Sequence, residues 1–327
     1  MTADRTFMIA SQFGDRADNI VAAMLGGADV RKVPPGYDHS AIMEADVFLH
    51  YPDTRSGARW QDRPPPGWPG RLRLIQLIST GTDFYPDWLF AGPPVTSAIG
   101  LSGPPISEYC LAAIFAATRD MPSMWMKGPD QWHRRMAPSI RGSRLGIYGF
   151  GSIGRTLAEQ ALALGMRVTA VRGSDAPLGM DGVEQAADMP ALIGNCDHLV
   201  LAAPGTDATR HVIDATALAA AKPGLHLVNV ARGSLVDHAA LIPALDAGTL
   251  SRVTLDVTEP EPLPAGHPLY SHPRVFLSPH VAAAGQSFLD TVYQRAADNI
   301  ARLLRGDGLI GLAEREPAVH ATPPERV

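Results

Sequence analysis

The segment Leu145–Gly154 constrains this chain more than any other. The apolar run Leu-Gly-Ile-Tyr leads straight into Gly149-Phe150-Gly151-Ser152-Ile153-Gly154, and Arg155–Leu164 follows with Ala and Leu at helical spacing. A G-x-G-x-x-G between a strand and a helix permits a tight turn, close approach of a pyrophosphate and close helix-to-strand packing. The helix start adds free N–H groups and the positive end of its dipole. With a further strand expected at Arg167–Val171, the motif predicts a dinucleotide site contacted by Gly149, Gly151, Ser152, Ile153 and Gly154.

The rest of the chain supplies the sheet that such a turn needs. Apolar strands are expected at Leu145–Tyr148, Arg167–Val171, His198–Ala202, His226–Val230, Arg252–Leu255 and Val275–Ser278, enough for a doubly wound parallel sheet. A second, smaller α/β pattern precedes it, with strands expected at Phe7–Ala10, Val47–His50, Leu72–Ile78 and Val95–Ala98. An apolar helix from Pro104 to Met121 and another at Phe288–Leu304 flank the larger pattern. At 327 residues the chain suits two domains. The fold class expected is α/β: a Rossmann-type domain at 99–284 inserted into a smaller flavodoxin-like substrate domain made of 1–98 and 285–327.

Charge and cysteine usage exclude several functions. The formal net charge is -5 with no long basic run, so neither nucleic acid nor an anionic membrane is an expected partner. Cys110 and Cys196, each in an apolar run, offer no disulfide framework and no C-x-x-C metal or redox spacing. The longest apolar run, Tyr109 to Ala117, is too short to span a bilayer, and a cytoplasmic protein without a bound metal is expected.

After the second strand of a dinucleotide fold, an acidic residue normally takes the adenosine ribose, but here Arg172-Gly173-Ser174 stands in its place. Arg172 and Ser174 can bind a 2′-phosphate, so NADP is the preferred cofactor, with NAD as the other possibility.

Polar residues follow three later strands: Arg232 in VNVARGSLVD, Asp256 and Glu261 in LDVTEPEPLP, and His280 in FLSPHVAAAG. With the glycine turn, these segments reproduce in order the pattern G-x-G-x-x-G, V-N-x-x-R-G, D-V-x-x-x-E-P and P-H. The chain thereby resembles the D-2-hydroxyacid dehydrogenase family. STGTD at Ser79–Asp83 resembles the family's substrate loop, and PGTDATRHVID its P-x-T-x-x-T segment.

The resemblance implies hydride transfer between a nicotinamide dinucleotide and a small 2-oxo acid, giving a D-2-hydroxy acid, with glyoxylate or hydroxypyruvate the first substrates to consider. Arg232 would anchor the substrate carboxylate and polarise its carbonyl, a task suited to a guanidinium fork. His280 would be the general acid, and Glu261 its charged partner. Backbone N–H groups of Ser79, Thr80 and Gly81 would also hold the carboxylate, with Tyr51 shaping the pocket. Ala203, Pro204, Thr209, Val230 and Ala231 would line the cofactor, and Asp256 would face the nicotinamide. The resemblance further implies a homodimer through the dinucleotide domain, built around the segment containing Trp125 and Trp132.

The chain departs from the family at Ser97, where Asn is usual, and in VAAAG after His280, which lacks the usual Thr. Glu261 argues against a formate dehydrogenase, which pairs its histidine with Gln. A phosphite dehydrogenase and a dinucleotide-sensing, corepressor-like binding protein stay open on the same scaffold.

Overall fold

A computed structural model describes residues 7–34, 42–51, 63–64, 66–83, 85–134, 136–174 and 176–313. The chain divides into two compact units, Met1–Leu101 with Gly285–Val327, and Ser102–Ala284.

The first unit holds five parallel strands: β1 (Met8–Ser11), β2 (Asp29–Lys32), β3 (Val47–His50), β4 (Leu74–Leu77) and β5 (Val95–Thr96). Their order β2-β1-β3-β4-β5 is that of flavodoxin-like sheets. Side chains alternate across the sheet, so each face needs its own cover. Ile9, Leu49 and Leu74 pack with Val292, Ala296 and Ile300 of the helix Gln286–Arg305. Ala10, Phe48 and Ile75 pack with Ile42 and Leu89 on the other face.

Buried polar contacts bring the end of the chain into this unit. Asn299, fully buried, donates to Gln76 Oε1 at 3.1 Å and to the Ile310 carbonyl at 2.9 Å, and Gln76 accepts from Thr96 Oγ1 at 2.7 Å. Ala313 N donates to the Val95 carbonyl at 2.9 Å and closes the edge of β5. The β2 strand has no counterpart among the expected strands: its sequence, DVRK, is that of a solvated edge.

The second unit holds seven parallel strands: β6 (Arg144–Tyr148), β7 (Arg167–Val171), β8 (Val183–Gln185), β9 (His198–Leu201), β10 (Leu225–Asn229), β11 (Leu250–Leu255) and β12 (Val275–Leu277). The order is β12-β11-β10-β9-β6-β7-β8, so the sheet reverses its direction of growth between β6 and β9. Ligands bind at such a switch point, beyond the carboxyl ends of the strands. The sheet has one strand more than expected, because β8 (VEQ) is a short polar edge. No helix among the described residues is long and apolar enough to cross a membrane.

Candidate active site

The glycine turn opens at the carboxyl end of β6. Gly149 lies at φ +104°, and a Cβ there would stand 2.5 Å from the Ala203 nitrogen. A Cβ on Gly154 would stand 2.2 Å from the Gly149 carbonyl oxygen, so this glycine lets the helix Ser152–Ala163 pack against the turn. No atom lies within 4 Å of a Cβ built on Gly151, which leaves the helix start open to a phosphate group.

Ile153 is partly buried against the apolar core of this unit, whereas Ser152 is exposed. Across the switch point Ala203 is buried, and Thr209 Oγ1 closes its loop by donating to the Pro204 carbonyl at 2.8 Å. Val230 and Ala231 are buried at the end of β10. Beyond β7, Arg172 Nη1 donates to the Pro177 carbonyl at 3.2 Å, with Ser174 exposed beside it. These residues fit a dinucleotide: a bare glycine cradle, a helix start and, among the described residues Arg172–Ser174 that follow β7, no carboxylate.

The ends of β10, β11 and β12 bring a second group together. His280 Nδ1 and Glu261 Oε2 are 3.0 Å apart, and Glu261 Oε1 accepts from the Thr258 backbone N–H at 3.1 Å. The hydrogen bond and charge of Glu261 hold the His280 pKa above its ordinary value, although burial and Arg232 act against them. Burial pushes the Glu261 carboxyl up, but His280, Thr258 and Arg232 outweigh it and the net shift is down. The imidazole side chain is 55% exposed, open to a reactant.

Arg232 is set by its neighbours. Fully buried Asn229 donates from Nδ2 to the Arg232 carbonyl at 2.8 Å and accepts from the Ala231 N–H at 3.0 Å, which shapes the turn. A Cβ on Gly205 would stand 2.9 Å from Arg232 Cγ, so the bare glycine leaves room for the arginine stem. A Cβ on Gly233 would lie 2.0 Å from the Thr258 carbonyl carbon, so only glycine lets this turn pack against the loop that carries Glu261.

In the five-stranded unit, Ser79 Oγ donates to the Gly81 carbonyl at 2.9 Å and lies 3.1 Å from the Tyr85 hydroxyl. Thr80 Oγ1 donates to the Ala98 carbonyl at 3.3 Å. Tyr51 follows β3 and is 45% exposed, its N–H directed at Gln12 Oε1. Ser97 is buried, and its hydroxyl accepts from the Ile99 N–H.

The NAD binding domain of the D-isomer specific 2-hydroxyacid dehydrogenases matches residues 111–282. The chain belongs to that family. It is 32% identical over 302 residues to a glyoxylate reductase of Aeropyrum pernix, which covers 86% of this chain and 88% of the relative. It is 35% identical over 249 residues to a glycerate dehydrogenase of Methylorubrum extorquens, covering 72% and 77%. A D-isomer specific 2-hydroxyacid dehydrogenase from Xanthobacter autotrophicus Py2, solved with NADPH and MES, is 26% identical with a TM-score of 0.76, covering 94% of this chain and 98% of that one. As a member of this family the chain is an oxidoreductase that uses a nicotinamide dinucleotide.

One residue of this dehydrogenase does more than its motif implied. Asp256, expected to face the nicotinamide, is 2% exposed and has both carboxylate oxygens engaged within the protein. Oδ1 accepts from Ser278 Oγ at 2.6 Å and Val281 N at 2.8 Å, and Oδ2 accepts from Ala282 N at 2.8 Å. Its carboxylate therefore organises the loop around His280. Asn229 and Gly233 stand inside the V-N-x-x-R-G motif, which by itself gives neither an individual role. The motif was their only sequence signal, since the carbonyl and loop that they meet come from folded backbone.

Proposed function

We propose that this dehydrogenase reduces a small 2-oxo acid to its D-2-hydroxy acid, with glyoxylate and hydroxypyruvate as substrates and NADPH preferred over NADH. The 3.0 Å contact between His280 and Glu261 carries the reading, because it supplies a histidine shifted toward its charged form and exposed to a reactant. The named activities of the Aeropyrum pernix and Methylorubrum extorquens relatives favour a hydroxy-acid substrate over phosphite oxidation or dinucleotide sensing.

The dinucleotide, when bound, supplies the hydride. Gly149, Gly151, Ser152, Ile153 and Gly154 hold its pyrophosphate, and Ala203, Pro204, Thr209, Val230 and Ala231 line the remainder. Arg172 and Ser174 take the 2′-phosphate, supported by the absence of a carboxylate among Arg172-Gly173-Ser174. In the seven-stranded unit Arg232 pairs with the substrate carboxylate, a task suited to its guanidinium fork; in the five-stranded unit the substrate-contacting groups are the backbone N–H groups of Ser79, Thr80 and Gly81 and the ring of Tyr51. Because Nδ1 of His280 is held by Glu261, the proton passes from Nε2 to the carbonyl oxygen as that oxygen gains charge. Glu261 stays ionised and keeps the ring oriented.

The working protein is a cytoplasmic homodimer joined through the dinucleotide-binding unit. Support for the dimer comes from Trp125 and Trp132, 67% and 80% exposed, which present the kind of apolar surface that an interface covers. Cys110 and Cys196, buried and free, suit a reducing compartment. Product analysis tests the reaction: chiral chromatography after incubation with hydroxypyruvate and NADPH is expected to show D-glycerate. L-glycerate, or no glycerate, would overturn the assignment.

A further inference from the structure

His280 occupies a backbone conformation that a histidine does not adopt freely. Its φ is +54°, in the left-handed region where a side chain crowds the backbone. Surrounding structure must hold such a residue in place, and here the holding groups form one connected chain. His280 N donates to the Asp256 carbonyl at 2.8 Å and to the Ser278 carbonyl at 3.1 Å. The Asp256 carboxylate takes the next two backbone N–H groups, of Val281 and Ala282, both at 2.8 Å. The loop is thus gripped on both sides of the histidine.

The grip extends one step further, to the helix Gly103–Arg119. Ser278 Oγ lies 2.6 Å from Asp256 Oδ1 and 2.6 Å from the Tyr109 hydroxyl. A serine hydroxyl has one proton to give, and the carboxylate can only accept. Ser278 therefore donates to Asp256, and Tyr109 donates to Ser278. Both hydroxyls are directional, so the line Tyr109, Ser278, Asp256 fixes how the carboxylate is turned, and the carboxylate fixes the loop.

We propose that Tyr109 and Ser278 are positioning residues for proton transfer: their hydroxyls orient Asp256, which holds His280 in its left-handed conformation with Nδ1 on Glu261. The inference rests on the reading of His280 as the general acid and extends it to a helix residue outside every motif that identified the site. Neither hydroxyl touches a reacting atom in this scheme.

The test compares purified Tyr109→Phe, Ser278→Ala, Ser278→Thr and His280→Asn with the wild type, with melting curves to establish that each is folded. The readouts are kcat for 2-oxo acid reduction and the alkaline limb of its pH profile. Loss of one aligned hydrogen bond corresponds to roughly ten-fold in rate. Tyr109→Phe and Ser278→Ala are each expected to lower kcat by about that factor and to move the alkaline limb toward the ordinary histidine pKa of about 6.5. Ser278→Thr, which keeps the hydroxyl, is expected to retain wild-type values of both.

A lower melting temperature with unchanged kcat and pH limb in Tyr109→Phe would make these residues merely structural and overturn the proposal. Should Ser278→Ala not fold, Tyr109→Phe decides alone. The His280→Asn protein separates the two levels. If it is inactive while Tyr109→Phe behaves as wild type, only the positioning proposal fails; if it turns over normally, the acid-base reading fails and takes the proposal with it.

Discussion

His280 and Glu261, 19 residues apart in sequence, meet with Nδ1 and Oε2 3.0 Å apart, each shifting the other toward its charged form. If His280 is the proton donor proposed for reduction, the rate should fall as pH rises through a His280 pKa that lies above the ordinary 6.5. In Glu261→Gln the hydrogen bond remains but the negative charge is gone. The alkaline limb of kcat/KM should then move to lower pH, and turnover at neutral pH should drop about ten- to a hundred-fold. A pH profile of the variant with an unmoved limb would remove Glu261 as the charged partner.

Arg172 is half-buried and already anchored to the Pro177 carbonyl. Replacing it by Asp places a carboxylate where a ribose diol can use it and a 2′-phosphate cannot. The ratio of kcat/KM for NADPH over NADH should fall by about two orders of magnitude, the loss of a charge-assisted contact plus new repulsion. An unchanged ratio would dismiss Arg172 from the phosphate site.

Gly233 sits where a Cβ would lie 2.0 Å from the Thr258 carbonyl carbon, a backbone atom that cannot swing aside. In Gly233→Ala the turn bearing Arg232 and the loop bearing Glu261 must separate. Overpacking of this kind costs about 1–3 kcal/mol, which should lower Tm by roughly 2–10 °C. The misplacement should also cost at least about a hundred-fold in kcat/KM. Thermal melts and steady-state kinetics on the same preparation read both.

Below the site, His198 and His226 form a buried pair with their Nδ1 atoms 3.2 Å apart, and His226 Nε2 lies 3.0 Å from Thr254 Oγ1. Burial lowers the His198 pKa to about 4, despite Asp197 acting the other way, and that of His226 well below its ordinary value. Both are neutral in the folded protein and take up protons on unfolding below pH about 6.5. Their contribution to stability is complete above that value and is lost as pH falls toward the folded pKa values. Tm should therefore decline steadily from pH 7 to pH 4.5, and a His226→Gln protein should decline less.

The strands that could be read from sequence are those whose apolar residues pack into a core: Val47–His50 is buried throughout, and Arg167–Val171 buries Val168 and Ala170 between more exposed positions. Val47–His50 and Arg167–Val171 occur with the expected bounds because continuous or alternating apolar residues have no other stable placement. Strands β2 and β8 escaped because DVRK and VEQ are edge sequences whose polar side chains meet solvent. At the site, residues that carry charge announced themselves by motif, as Arg232, Glu261 and His280 did. Those that work through backbone left no such mark. The role of Asp256 depends on the N–H groups of Val281 and Ala282, which every residue but proline possesses. The need for Gly233 depends on a loop that arrives more than twenty residues later.

The reaction proposed for this dehydrogenase is reduction of a small 2-oxo acid with NADPH, with His280 as the proton donor. The most direct measurement follows NADPH and NADH oxidation by absorbance with wild-type and His280→Ala protein against 2-oxo acids from glyoxylate to phenylpyruvate. NADPH should be oxidised fast with glyoxylate or hydroxypyruvate and NADH more slowly, and His280→Ala should lose about three orders of magnitude in rate with dinucleotide binding intact. No oxidation of either cofactor with any of these acids, or an undiminished rate in His280→Ala, would contradict the proposed reaction.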